Sequence, residues 1–411
     1  MNKILFVGKD FYPDTLGVSK YSTEMCLWLQ HTNRLKVDVI TGYPYYPEWK
    51  NKSKNSTLGY RKESFRKLNI VRVPTFIPFN PNGLNRSIQN IVFSIASLPI
   101  ILYKILFDRP SCLISIVPSY TNTFFCVILA RIFKIKSFVH IQDLEFDLAD
   151  KLRLLPPFLI SLLFKLEKNI LKNSYCVSSI SNKMLKKIQS KIDIPLKKIL
   201  FPNWINHNEI FPDRDLGQKF RNQIDIPQNA FLILYSGNIG YKQGFDNLIN
   251  AAINLKKYSF IKFLIVGSGL GKKDLIKEIR DNELDNCRIM SPVKSSKLNQ
   301  LLNSADLHIV LQKEEIDNYV LPSKLTNIFG VGGEALVFGS KNSEIGDINN
   351  NNPGILNLVT KQHRHQFDFE KMIKKYERSK INSIAHLYSK NQLNRDKVMS
   401  RYLKHINEAV N

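Results

Sequence analysis

At 411 residues, with 44% hydrophobic and 23% charged side chains, the chain is too long for one compact core and too apolar for wholesale disorder. Lys and Arg outnumber Asp and Glu by 59 to 35, giving a formal net charge of +24, and such an excess favours an anionic partner: nucleic acid, an anionic membrane surface or a phosphorylated substrate. The five cysteines (Cys26, Cys112, Cys126, Cys176 and Cys287) are scattered, odd in number and without metal-type spacing, which argues against a disulfide framework and fits a reducing cytoplasm.

In chain order, MNKILFVG opens as a buried strand over Lys3 to Gly8 and not as a signal peptide. A loop containing Gly17 leads into a helix from about Ser19 to Gln30, and VDVIT (37–41) is the second strand. The loop GYPYYPEWK after it carries four aromatics, the composition of a binding mouth. Residues 51–66 are polar and basic, and Leu68 to Val73 is a further strand. SIQNIVFSIASLPIILYKILF (87–107) reads as a buried or membrane-touching helix and not a span, because Pro99 and Lys104 interrupt it and the strand CLISIVPS follows closely. A helix over Asn122 to Phe133, a strand over Lys136 to Ile141, a polar strand end HIQDLEFDLAD, and a strand from Tyr175 with a helix opening on Ser181 complete this half. Residues 151–200 hold eleven Lys/Arg against two acids, and LRLLPPFLISLLFKLEKNILKNS within them reads equally as an interfacial amphipathic segment or as a core helix with a solvated basic face. No basic stretch is interleaved with aromatics as single-stranded nucleic-acid platforms require, so no nucleic-acid partner is expected.

The second half is organised around FLILYSGNIGYKQGFDNLINAA (231–252), a strand, a glycine turn and a helix. In a parallel sheet that unit can present backbone N–H groups to a phosphate, or be a plain βα turn. IKFLIVG, a helix through Lys272 to Asp281, CRIM, LNQLLNSA, DLHIVLQ, LPSKLTNIFGVGG and ALVFGS continue the alternation. The Asn run 349–352 reads as a loop tip and residues 366–408 as charged helices. The alternation predicts an α/β protein of two Rossmann-like domains with a cleft between them. Their expected limits are 1–205 and 206–411, with the last helices (about 385–411) packing back on the first domain.

Three clusters carry candidate chemistry. Gly267 and Gly269 in GSGLG follow a strand, but the third glycine of a dinucleotide fingerprint is Lys272, so the turn suits a diphosphate better than NAD. His140 and Gln142 share a face of one strand, and Asp143 begins the loop beyond, where a carboxylate can act as general base; Glu145 and Asp147 follow it. Lys324 lies on the first turn of a helix behind Ser323, against the helix dipole, which an anionic ligand or a solvent-facing side chain would explain.

These motifs coincide in order and spacing with a family. FYPDTLGVSKYSTEM, YPYYPEW, HIQDLEFD, SSISNKM, FPNW, YSGNIGYKQG, IVGSGLG, SADLHIV and LPSKLTN resemble bacterial glycosyltransferases of family 4 with the GT-B fold, in the branch similar to colanic-acid fucosyltransferase-like and N-acetylfucosaminyltransferase-like proteins. The resemblance implies sugar transfer from a nucleotide sugar to a lipid-linked glycan acceptor, by a cytoplasmic protein peripherally bound to the anionic inner face of the membrane, with no metal or other cofactor. It implies that Gly17 lies near the donor diphosphate, that Gly237, Asn238, Lys242, Gln243, Gly267, Gly269, Ser323, Lys324 and Asn327 form the donor site, and that Asp143, with His140 and Glu145, serves catalysis. The chain departs from the family pattern where Asn238 and Gln243 stand for a basic pair, where Tyr319 and Asn327 stand for paired glutamates, and where Gln142 stands for a histidine. Readings that the residues leave open are a sugar-nucleotide epimerase of the same fold, a basic nucleic-acid-binding protein, and an inactive scaffold.

Overall fold

A computed structural model of the chain describes residues 2–32, 35–53, 56–240, 243–361, 373 and 381–410. It divides into two units, Met1–Pro202 with Val398–Asn411, and Asn203–Lys397. Lys242 and most of the expected helical region 366–382 lie outside the described residues.

In the first unit the described strands are β1 (Lys3–Val7), β2 (Lys36–Thr41), β3 (Arg61–Phe65), β4 (Leu68–Arg72), β5 (Cys112–Val117), β6 (Lys136–Ile141), β7 (Cys176–Ser179) and β8 (Lys198–Leu200). They form one sheet in the order β3-β4-β2-β1-β5-β6-β7-β8. All neighbours are parallel except β3 and β4. The antiparallel edge corrects the reading of 51–66 as merely polar. Its turn places Arg66 and Lys67 at φ 47° and 70°, the backbone of a two-residue hairpin built here without glycine or asparagine.

Helices α1 (Val18–Thr32), α2 (Gly83–Tyr103), α3 (Tyr120–Ile132), α4 (Glu145–Lys151), α5 (Pro157–Asn173) and α6 (Asn182–Gln189) connect the strands. HIQDLEFDLAD therefore ends in the short helix α4, not in an extended strand end. Helix α2 packs on α3 and α3 on α5, forming one layer over the sheet. Phe93, Ile101, Ile105 and Cys126 seal that face against Leu5, Val7, Ile40 and Leu113. The helix Arg395–Val410 returns to this unit, where Tyr402 is fully buried and stacks on Phe201 at 4.1 Å.

The second unit contains β9 (Phe231–Ser236), β10 (Ile261–Val266), β11 (Cys287–Met290), β12 (Leu307–Val310), β13 (Ala335–Phe338) and β14 (Asn357–Val359), all parallel, in the order β11-β10-β9-β12-β13-β14. Strand β9 is buried on both faces. Phe231, Ile233 and Tyr235 enter one core with α8 (Asp246–Asn254), and Leu232 and Leu234 enter another with α7 (Arg214–Gln223). Helix α9 (Lys272–Asp281), α10 (Leu298–Asn303), α11 (Lys324–Gly330) and α12 (Glu344–Asn351) complete the layers. Asn349 to Asn351 form the last turn of α12 and Asn352 its C-cap, so the run is helical and not a loop tip. The helix Ser383–Gln392 packs on α11. Chain order reverses between β9 and β12, so the crevice at their carboxyl ends is where an open parallel sheet takes a ligand.

Candidate active site

The loops that follow β9 and β10 pack face to face at that crevice. Gly237 N–H donates to Val266 O (2.9 Å), Ile239 N–H to Ser268 O (2.8 Å) and Gly271 N–H to Ile239 O (3.0 Å). A Cβ on Gly269 would sit 2.2 Å from Ile239 O, with φ at 150°, and one on Gly267 would sit 2.0 Å from Gly237 O. Both glycines are thus required by the crossing loop, and a side chain at either would push the loops apart. Gly240 N–H donates to the Gln243 side chain at 3.2 Å, and Gly267 N–H to Met290 O at 3.0 Å. The expectation of a turn rich in free backbone N–H groups is corrected for Gly237, Ile239, Gly240 and Gly267: the first two tie the β9 loop to β10 and its loop, Gly240 bonds within its own loop and Gly267 bonds the end of β11. Gln243 is a loop brace in place of a charge.

Above Gly237 lies Lys324. Part of its stem is exposed, but its Nζ is buried and has no hydrogen-bond partner. That atom stands 4.0 Å from the ring centroid of Tyr235 and 3.2 Å from the point where a Gly237 Cβ would be, at a residue whose φ is 149°. Only a glycine at 237 leaves this room. Burial lowers the Lys324 pKa from 10.5 to about 7, because an ammonium loses its hydration and finds no anion to replace it. The π-face of Tyr235 offsets part of that cost. The Tyr235 hydroxyl donates to Asn238 O at 2.6 Å and its ring packs edge-on against Phe245 at 4.8 Å, so the platform is locked on two sides. One turn along α11, the Oδ1 of Asn327 is likewise buried without a partner. Ser323 occupies the N-cap position, yet its side chain makes no capping hydrogen bond. The structure rules out the solvent-facing lysine: this is a buried amine without a hydrogen-bond partner. Tyr235 is the residue that sequence reasoning missed, since an aromatic at a strand end reads as core.

In the first unit, Gly17 adopts φ 58° in the loop before α1, and a Cβ there would meet nothing within 4 Å. His140 is only 2% exposed. Its Nδ1 lies 3.0 Å from Ser178 Oγ and its Nε2 3.0 Å from Gln142 Nε2, with Phe201 edge-on at 5.1 Å. Burial lowers its pKa to about 3. This corrects the catalytic role expected of His140: a neutral, sealed imidazole with both nitrogens engaged cannot exchange a proton with substrate, and it fixes Gln142 instead. Asp143 is half-buried at the carboxyl end of β6 and Glu145 is exposed on the first turn of α4. Asp147, beside them in sequence, is buried and paired with Lys191, which also binds Glu167 at 2.6 Å. Asp147 is therefore structural. The aromatic loop after β2 is mostly packed inward: Tyr43 and Tyr45 are buried, and Asp14 accepts the N–H groups of Tyr45 and Tyr46 at 3.0 Å. Among the described residues, no group of three or more His, Cys, Asp or Glu could hold a metal ion.

Two Rossmann-like units, with a buried lysine amine at the strand switch point of the second, frame the comparisons with known proteins. The family description "Glycosyl transferases group 1" matches residues 217–316. A chain named as a colanic acid biosynthesis glycosyl transferase, WcaI, of Escherichia coli (strain K12) is 33% identical over 421 residues, covering 98% of this chain and 99% of its own. The protein belongs to the group 1 glycosyltransferases. Among solved structures it is similar to sucrose-phosphate synthase from Thermosynechococcus elongatus (TM-score 0.77, 14% identity, 99% of each chain). It is also similar to Anabaena HepE in complex with UDP-glucose (TM-score 0.65, 12% identity, 99% of each chain).

Proposed function

We propose that this glycosyltransferase moves a sugar, of the fucose or N-acetylfucosamine type, from a nucleotide-sugar donor to a lipid-linked glycan intermediate of a cell-surface polysaccharide: O-antigen, capsule or exopolysaccharide. The E. coli relative is named for colanic acid biosynthesis and the Anabaena neighbour is described with UDP-glucose, and both support this reading. The acceptor places the protein at the inner face of the cytoplasmic membrane as a peripheral protein. Family membership favours transfer over the epimerase and nucleic-acid-binding readings.

One observation carries the donor assignment: the buried, unpartnered Nζ of Lys324 above Gly237 and the Tyr235 ring. A diphosphate seated there supplies the missing anion, and the lysine in turn neutralises charge that grows as the glycosyl bond breaks. Asn327 Oδ1 accepts from a ribose hydroxyl, and Asn238, Gln243 and Ser323 line the approach. The acceptor hydroxyl forms the new bond to the anomeric carbon, the nucleoside diphosphate leaves with the electron pair, and Asp143 takes the proton, with Glu145 as the second carboxylate of that loop. Lys324 provides the leaving-group charge that would otherwise fall to a divalent ion, so transfer should persist in chelator.

A thermal-shift screen against UDP-, GDP- and dTDP-sugars tests the reading. One nucleotide class should stabilise the wild type, and Lys324→Ala should abolish that shift. Equal shifts for both proteins would sink the donor assignment.

A further inference from the structure

We propose that the outward face of α2, continued by the exposed ends of α3 and α5, is the surface by which this protein lies on an anionic lipid bilayer. Helix α2 is apolar on its solvent side as well as against the sheet. Its buried side carries Phe93 and Ile101 against the sheet, and Gln89, Ser94 and Ser97 toward the loop after β1 and toward α3. These polar groups have partners: Lys9 Nζ donates to Gln89 at 3.0 Å and to Asn90 at 2.9 Å, Ser94 Oγ lies 2.7 Å from Thr121 Oγ1, and Asn122 donates to Ser97 at 3.3 Å. Its solvent stripe, at helical spacing, is Leu84, Ile88, Ile91, Ile95 and Tyr103, with Ile95 65% exposed. A helix of a water-soluble layer keeps its solvent side polar.

The segment Gly83–Asp108 has a mean hydropathy of 1.9 over its most apolar window, enough to span a membrane by length and composition, yet its polar side chains tie it to α3 and to the loop after β1. It fits an interfacial position instead. The neighbouring helices extend the face. Ile132 and Phe133 are exposed at the end of α3, Leu154 just before α5, and Phe158 and Leu162 in its first two turns. Among the described residues, more than half of the large exposed apolar side chains fall between Phe79 and Leu162.

Charge selects the occupant. Residues 83–136 contain six Lys/Arg and one acid, Asp108, which is paired with Lys104; residues 151–173 contain five and one, Glu167, which is buried and paired with Lys191. On α5 the exposed stripe runs from Phe158 and Leu162 to Lys165 and Lys172. Apolar side chains rimmed by lysines, with no unpaired acid in these segments, match acyl chains beneath anionic headgroups. Of the two readings of 151–173, α5 shows the core packing through Ile160, Ile170 and Leu171, and the proposal assigns the interface to its outer stripe.

The proposal rests on the reading of a membrane-borne acceptor, and vesicle flotation, which involves no transfer, separates its failure from the failure of that reading. Full-length protein is mixed with phosphatidylcholine vesicles or with vesicles of about one-third phosphatidylglycerol, where anionic headgroups reward each nearby lysine. Wild type should float with the anionic vesicles. Ile91→Glu with Ile95→Glu should lower partitioning at least about tenfold, since two inserting side chains are lost and two repelled charges gained. Ile91→Leu with Ile95→Leu should float like wild type. Both positions are solvent-exposed, and an unchanged thermal transition confirms that the glutamate variant is folded. Wild type that stays below the anionic vesicles, or a glutamate variant that floats undiminished, overturns the proposal. So does self-association that the glutamates abolish without any flotation, which would assign the face to a second copy of the chain.

Discussion

Lys324 carries a desolvation penalty whenever it is charged. Its folded pKa of about 7 lies below the ordinary lysine value of 10.5, so between these values the folded protein has released a proton that the unfolded chain keeps. The cost of the buried cation is complete below about pH 7, and stability rises as pH climbs from about 7 to 10.5. Lys324→Met should therefore stabilise the unliganded protein by about 1–3 kcal/mol at pH 6.5 in urea denaturation, and flatten that pH dependence. A variant less stable than wild type at pH 6.5 would show that the amine is already paired. At the other site, Asp143→Asn should lower the transfer rate about a hundredfold or more while leaving the nucleotide-induced thermal shift intact, as loss of a general base does. An unchanged rate would move the base to Glu145 or elsewhere. Neither the burial of Lys324 nor the sealing of His140 was legible in the sequence. A lysine at a helix start is ordinarily solvated, and a histidine beside carboxylates resembles a catalytic group until Phe201 and Ser178 are seen to enclose it.

At the scale of elements, the β9–loop–α8 unit was readable because its periodicity changes at Gly237 and Gly240, and the helix 272–281 and the strand CRIM were expected at the limits they have. The β3–β4 hairpin was not, because Arg66 and Lys67 take left-handed backbone without the residues that usually announce it. Helix α4 was hidden by its acids, which sit on its first turn where they suit the dipole. The two glycine loops were legible as a phosphate-type turn but not as a mutual packing. Gly269→Ala tests that packing. The Cβ would lie 2.2 Å from Ile239 O at φ 150°, so loop displacement should cost about 1–3 kcal/mol and lower donor affinity with it. Calorimetric binding that matches wild type would contradict the loop-to-loop arrangement.

For the whole molecule, the alternation of strands and helices foretold two Rossmann-like units, whereas no sequence signal marks which residues of Arg395–Val410 belong to the first. Val398, Met399, Tyr402 and Ile406 are each buried there. Removing residues 398–411 should lower the first unit's melting transition markedly, since each such side chain contributes about 1.5–3 kcal/mol. A scanning calorimetry profile identical to full length would show that the segment is dispensable.

The most direct test of the donor assignment is isothermal calorimetry of the stabilising nucleoside diphosphate with wild type and Lys324→Met, at pH 7 and pH 9, in buffers of different ionisation enthalpy. Binding to wild type should take up close to one proton at pH 9 and weaken from pH 7 to pH 9, because the anion favours the charged form of a lysine whose free pKa is about 7. The methionine variant should bind weakly and without that proton. Equal affinity and equal proton uptake in the two proteins would contradict a diphosphate held by Lys324.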